Sequence, residues 1–146
     1  MKMRVYLDNC CFNRPFDDPL HLPNWLEAEA KMHVQRQILD GEIELAWSYI
    51  LDHENAENPY EQRKAAIARW KVRAAIDIDA GDEIIRRASA IMTCGIRSKD
   101  ALHIACAIEA QCRVFLTTDK GILKKNVDGI LVMNPLDFVR EMEVEP

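Results

Sequence analysis

Ser98-Lys-Asp-Ala-Leu-His-Ile-Ala-Cys-Ala-Ile-Glu109 runs, after only four more residues, into Val114-Phe-Leu-Thr-Thr-Asp119. In the first segment Ala101, Leu102, Ala105 and Ile108 recur at helical spacing, and Ser98 offers an N-cap, which predicts a helix from Ser98 to about Gln111. The second segment is a continuous apolar run ending in two threonines, a strand by composition. A helix that delivers the chain into such a strand is half of a parallel βαβ unit.

Working outward, the same alternation recurs. Residues 3–7 (Met-Arg-Val-Tyr-Leu) are strand-like and stop at Asp8, and an irregular stretch holding Pro15 and Pro19 follows to Leu22. Pro23 suits a first helical turn, after which Leu26, Ala30, Val34 and Ile38 keep helical spacing until Gly41 stops it. Ile43 to Trp47 is a second strand candidate. Ser48 is a candidate N-cap for a helix over 49–57. Pro59 starts another helix to about Arg73, and Ala75 to Ile78 forms a short strand. Ile84, Ile85, Ala88, Ile91 and Met92 describe an amphipathic helix ended by Gly95. Beyond Asp119 the sequence predicts a short helix from Lys120, a last strand from Ile130 to Met133, and a helix near 136–143. Strands alternating with helices mean an α/β fold with a parallel sheet. At 146 residues, with no linker or repeat, one domain spanning 1–146 is expected.

Composition removes much of the enzyme menu. The five glycines lie at 41, 81, 95, 121 and 129, so neither G-x-G-x-x-G nor G-x-x-x-x-G-K can be written. None of the three serines is flanked as G-x-S-x-G. Five cysteines, two of them adjacent, make a poor disulfide framework and fit a reduced compartment. The start lacks a signal-peptide core, and no apolar run reaches the roughly 20 residues of a membrane span. A cytoplasmic protein without membrane attachment is expected. The net charge of −5, taken as a total, argues against a nucleic-acid partner.

Carboxylates at strand ends carry the chemistry. In a parallel sheet, ligands bind beyond the carboxyl ends of the strands. Asp8 follows the first strand, Asp119 follows the strand at 114–118, Asp100 lies in the first turn of the helix feeding that strand, and Glu54 lies about two turns beyond Ser48. Acids converging there repel one another unless a hard cation such as Mg²⁺ joins them. With one, they can activate water and steady phosphoryl displacement. Each also has a structural reading: Asp100 and Asp119 as helix-cap or first-turn acids, Asp8 as a turn residue, Glu54 as a solvated face residue.

Together these segments resemble the PIN domain family. Arg4-Val-Tyr-Leu-Asp8 is similar to its opening strand, Ser48-Tyr-Ile-Leu-Asp-His-Glu54 to its second strand end and helix, and Asp100-Ala-Leu-His-Ile-Ala-Cys-Ala-Ile-Glu109 to its D-A-L helix. Leu116-Thr-Thr-Asp119 resembles the T-x-D strand end, and Ile130-Leu-Val-Met-Asn134-Pro135 the closing strand. The resemblance spans nearly the whole chain and implies a three-layer α/β/α sandwich with a central, mostly parallel sheet. It implies a metal-dependent ribonuclease acting on single-stranded RNA, of the kind found as the toxin of toxin–antitoxin pairs. By it, Asp8, Glu54, Asp100 and Asp119 hold Mg²⁺ or Mn²⁺, Thr117 and Asn9 support them, and an antitoxin partner and a homodimer are expected. The chain departs from the toxin-type pattern in Asn9-Cys10-Cys11 after the first Asp and in Gly121 after the T-x-D.

Lys99 and Lys120 flank the acids and, with Arg14, are candidate substrate contacts; Arg97, Lys124 and Lys125 are further bases nearby. The basic run Arg63 to Arg73 reads as a solvated helix face. His103 and Cys106, three apart on one helix, lack a second pair at ligand spacing, so a structural role is expected for them. Two other readings remain. One is a phosphoryl-transfer enzyme with Asp8 as nucleophile, although Cys10 stands where a second Asp would be required. The other is a catalytically weak PIN fold used for RNA binding or oligomerisation.

Overall fold

A computed structural model describes residues 2–12 and 22–142. Five strands form one sheet: β1 (Arg4–Leu7), β2 (Glu44–Ser48), β3 (Ala74–Ile78), β4 (Val114–Leu116) and β5 (Leu131–Met133). Their order is β3-β2-β1-β4-β5, and every pairing is parallel. The seven α-helices of the described residues are α1 (Leu22–Leu39), α2 (Tyr49–Ala56), α3 (Glu61–Trp70), α4 (Asp82–Met92), α5 (Ser98–Glu109), α6 (Lys120–Leu123) and α7 (Pro135–Glu141). The architecture is the expected α/β/α sandwich, with the sheet wholly rather than mostly parallel.

Burial explains the strand order. Val5, Tyr6 and Leu7 of β1 and Val114, Phe115 and Leu116 of β4 are all buried, as the interior strands of a covered parallel sheet must be. β3 alternates between half-buried and exposed positions and β5 is partly exposed, as edge strands are. The chain lays β2 and β3 on one side of β1, then crosses to lay β4 and β5 on the other. Right-handed crossovers travelling in opposite directions leave their helices on opposite faces of a sheet. The reversal therefore makes both helical layers and opens a crevice between β1 and β4 at their carboxyl ends.

α5 is the most deeply buried helix: Ala101, Ile104, Ala105, Cys106 and Ala107 have no exposed surface. Its alanines let it lie close to its neighbours, α4 above all. Tyr6 stacks on Phe115 with ring centroids 5.5 Å apart, and Phe12 packs against Trp47 at 5.3 Å, filling the centre of the core. No helix of the described residues is long and apolar enough to cross a membrane.

Two caps differ from expectation. Ser48 stands at the N-cap of α2, but its hydroxyl caps nothing and bonds instead to the buried Tyr6 hydroxyl at 2.6 Å. Ser98 is the first residue of α5, and Arg97 holds the cap position. The helix expected to run to Arg73 ends at Trp70 and tightens into a 3-10 turn over Lys71–Arg73.

Candidate active site

Asp8 is the residue on which β1 ends. Its backbone N–H still donates to the Leu116 carbonyl at 2.9 Å, so it lies directly beside the end of β4. The next three residues turn sharply in a 3-10 helix capped by the Asp8 side chain, whose Oδ1 accepts from the Asn9 amide at 2.8 Å. The buried Thr117 hydroxyl donates to Asp8 Oδ2 at 2.7 Å and accepts from the Asp119 amide at 3.1 Å. One threonine thus orients the first acid and anchors the backbone of the last. Asn9 supports Asp8 through its main chain, and its own Oδ1 is buried with no hydrogen-bond partner among the described residues.

Glu54 shares the inward face of α2 with Ile50 and Leu51, which are buried one turn before it. Its carboxylate meets His103 Nε2 in a short hydrogen bond. The acceptor oxygens of Asp8 and Glu54 and a ring nitrogen of His103 all lie within 4.8 Å of one another. Burial alone would push the Glu54 carboxyl up, but the hydrogen bond from His103 and the charges of His103, Lys99 and His53 hold it below its ordinary value.

Asp100 lies in the first turn of α5, half-buried. Its carboxyl is raised by burial and then by the negative charges of Asp8, Asp119 and Glu54, against a smaller opposing effect of His103. Asp100 thus feels the other three acids, but the donor atoms that close to within 4.8 Å of one another among the described residues are those of Asp8, Glu54 and His103, without Asp100 or Asp119. Asp119 is the most exposed of them, and its Oδ1 caps α6 through the amides of Gly121 at 2.8 Å and Ile122 at 3.3 Å. Asp100 and Asp119 together border a cavity of about 240 Å³ whose wall also carries Arg97 and Lys125.

The other candidates fall unevenly. Lys99 is exposed and close enough to act on Glu54. Lys120 is exposed at the start of α6, and no ion pair joins it to the acids among the described residues. Arg14 lies outside the described residues. In the basic run, Lys71 pairs with Asp52 at 2.9 Å and Asp77 at 3.8 Å, as a solvated face would. Cys11 is buried, whereas the half-buried Cys10 Sγ sits 3.8 Å from Asp8 Oδ2. Its thiol is lowered by a hydrogen bond with Cys11, against the opposing effects of burial and the Asp8 charge.

His103 stands beside Asp8 and Glu54, a placement the sequence did not show. Its expected structural role is half the case: the side chain is fully buried, yet it touches Glu54 on one side and Tyr6 on the other. The one available signal was its place three residues after Asp100, on the same helix face.

The sequence matches the PIN domain family over residues 5–127. The chain belongs to the PIN domain family. PIN domains are generally nucleases, a class of hydrolases, and they generally use divalent metals. None of the curated proteins matches this PIN domain. Among solved structures it is similar to a chain in the crystal structure of VapBC2 from Rickettsia felis bound to a DNA fragment from their promoter. The TM-score is 0.60 at 15% identity, over 90% of this chain and 98% of that one. At that identity the likeness speaks for the PIN fold, and the match covers essentially the whole of the other chain.

The donor set suits a hard divalent cation. The close group offers carboxylate oxygens from Asp8 and Glu54 beside the His103 ring, with the Asp100 carboxyl, raised by burial and then by its acidic neighbours, further along the crevice, and carboxylate oxygens are what Mg²⁺ and Mn²⁺ take.

Proposed function

We propose that this PIN domain is a Mg²⁺- or Mn²⁺-dependent endoribonuclease that hydrolyses phosphodiester bonds of single-stranded RNA. Asp8, Glu54, Asp100 and Asp119 hold the metal. The observation that carries the reading is the group of Asp8, Glu54 and His103 donor atoms within 4.8 Å of one another at the carboxyl end of β1, beside an Asp100 carboxyl that burial and then Asp8, Asp119 and Glu54 raise. Like charges gathered at a partly buried site cost stability, and a cation is the partner that offsets them. When bound, the divalent ion supplies the positive charge that activates water for attack on phosphorus and stabilises the charge developing there.

The chain's own residues divide the remaining work. Thr117 and the Asn9 amide hold both oxygens of Asp8, which fixes that carboxylate before any ligand arrives. Arg97 and Lys125, facing the cavity beside Asp100 and Asp119, are placed to receive phosphate oxygens, with Lys99 on the flank near Glu54. Lys120 has its side chain in solvent and serves as a peripheral phosphate contact. Single-stranded RNA fits a half-open crevice better than a rigid duplex, because its backbone can bend phosphates towards recessed acids.

A protein partner belongs to the same reading. α1 exposes Trp25, Leu26, Met32 and Leu39, and a shallow groove between α1 and α7 is lined by Leu26, Met32, Leu136 and Val139. Apolar side chains repeated along one helix suit burial against protein. We infer a toxin-type chain in the cytoplasm that pairs with an antitoxin and with a second copy of itself. Light scattering of the purified protein should give twice the chain mass.

The substrate class is tested by comparing single-stranded RNA, duplex RNA and single-stranded DNA of one sequence in the presence of Mn²⁺. Preferential cutting of the first by the native chain, and none by Asp8→Asn, is the expected result. Mn²⁺ binding without cleavage of any of the three would favour the binding-module reading instead.

A further inference from the structure

Behind the acids lies a line of polar side chains in an otherwise apolar core. Ser48 Oγ lies 2.6 Å from the Tyr6 hydroxyl, Tyr6 lies 2.6 Å from His103 Nδ1, and His103 Nε2 meets Glu54. Ser48, Tyr6 and His103 are fully buried, so each group must be satisfied within the line. A carboxylate only accepts, so Nε2 carries the hydrogen given to Glu54. Nδ1 either accepts from the Tyr6 hydroxyl in the neutral ring or donates to it in the charged one, and in both cases it is taken up by Tyr6. Both ring nitrogens are committed, one to Tyr6 and one to Glu54. His103 therefore has no lone pair free for a cation, although its ring stands among candidate ligands.

The line also joins the elements that carry the site. Tyr6 is two residues before Asp8 on β1, Ser48 ends β2 and opens the helix bearing Glu54, and His103 lies one turn beyond Asp100 on α5. Hydrophobic residues of similar shape would fill this space without the cost of burying three polar groups. Tyr6 already stacks on Phe115, so its ring packs without help from its hydroxyl.

We propose that His103 is a positioning residue: held from behind by Tyr6 and Ser48, it fixes the Glu54 carboxylate so that Glu54 faces the metal between itself and Asp8. This rests on the metal-dependent reading above. Groups that orient a ligand from behind typically change metal affinity 10- to 100-fold when removed.

The test measures Mn²⁺ affinity by calorimetry on the intact chain, alongside its melting temperature. The native chain should bind Mn²⁺, and His103→Leu should bind about 10- to 100-fold more weakly. His103→Gln, whose amide N–H reaches the same point, should return to within about threefold of native. Tyr6→Phe keeps the fold and should weaken Mn²⁺ binding about 3- to 10-fold, a modest share of the effect of losing the ring itself. If His103→Leu does not fold, the Tyr6→Phe and His103→Gln results decide. Unchanged Mn²⁺ affinity in Tyr6→Phe and His103→Leu, with only their melting temperatures lowered, would overturn the proposal. So would directly detected ¹⁵N-histidine coupling to bound Mn²⁺, which would make His103 a ligand. Failure of the native chain to bind Mn²⁺ at all would overturn the metal-dependent reading first, and this inference with it.

Discussion

Asp119 holds two roles at once, and they can be separated at the level of a single atom. Its Oδ1 caps α6, a task asparagine performs equally well, while its negative charge reaches Asp100. Asp119→Asn should therefore leave the melting temperature close to native and lower RNA cleavage about tenfold or more, given that even indirect supports of a metal cost that much. Asp119→Ala should lose activity and, in addition, about 1 kcal/mol of stability measured by urea unfolding. Asp100 offers a test of opposite sign. Burial and the neighbouring acids raise its carboxyl above the unfolded value, so the folded chain holds that proton more tightly than the unfolded chain does. Its ionised form is thus a cost to the folded state at neutral pH, and the cost disappears as pH falls through the raised value. Without metal, Asp100→Asn should melt above the native chain at neutral pH, and the two should converge in acid. A lower melting temperature for Asp100→Asn at every pH would contradict the electrostatic account.

At the scale of elements, the helix-to-strand passage from Ser98 to Asp119 was readable because its signals are local. Alanine and isoleucine at helical spacing made α5, an unbroken apolar run made β4, and both appear within a few residues of expectation. Ser48 and His103 were not readable in the same way, for a shared reason. Their partner, Tyr6, is 42 residues from the first and 97 from the second, and only the pairing of β1 with β2 and the packing of α5 on the sheet bring them together. A serine before a helix looks like a cap until a phenol takes its hydroxyl. The packing of α5 gives a stability test. Ala105 has no exposed surface, so Ala105→Leu should overfill its site and cost about 1–3 kcal/mol in denaturant unfolding.

For the whole molecule, strand order explains why acids widely separated in the chain come to one end of the sheet. The sheet reverses direction at β1, and Asp8 and the β4 segment flank that point, with Glu54 and Asp100 carried in on helices. The α/β class followed from the alternation of elements, but the closeness of the acids depends on β1 and β4 being neighbours, which no local pattern encodes. The total charge of −5 is likewise the wrong scale for a partner: under the proposed function the acids in the crevice would face a cation, and Arg97, Lys99 and Lys125 stand near them. A ligand that binds only the folded chain stabilises it by about 2.7 kcal/mol at a hundred times its dissociation constant. Saturating Mn²⁺ should accordingly raise the melting temperature by several degrees, and Asp8→Asn should abolish most of that rise.

On the proposed function, the carboxylate crevice cleaves RNA only with a divalent ion. The direct measurement is the rate of single-stranded RNA cleavage by the purified chain with Mn²⁺, with a chelator, and with Asp100→Asn in Mn²⁺. Cleavage is expected in the first case, none in the chelator, and a rate about a hundredfold lower with Asp100→Asn, the upper range for disturbing a metal's surroundings. Cleavage at the native rate in the chelator, or by Asp100→Asn, would contradict the proposed function.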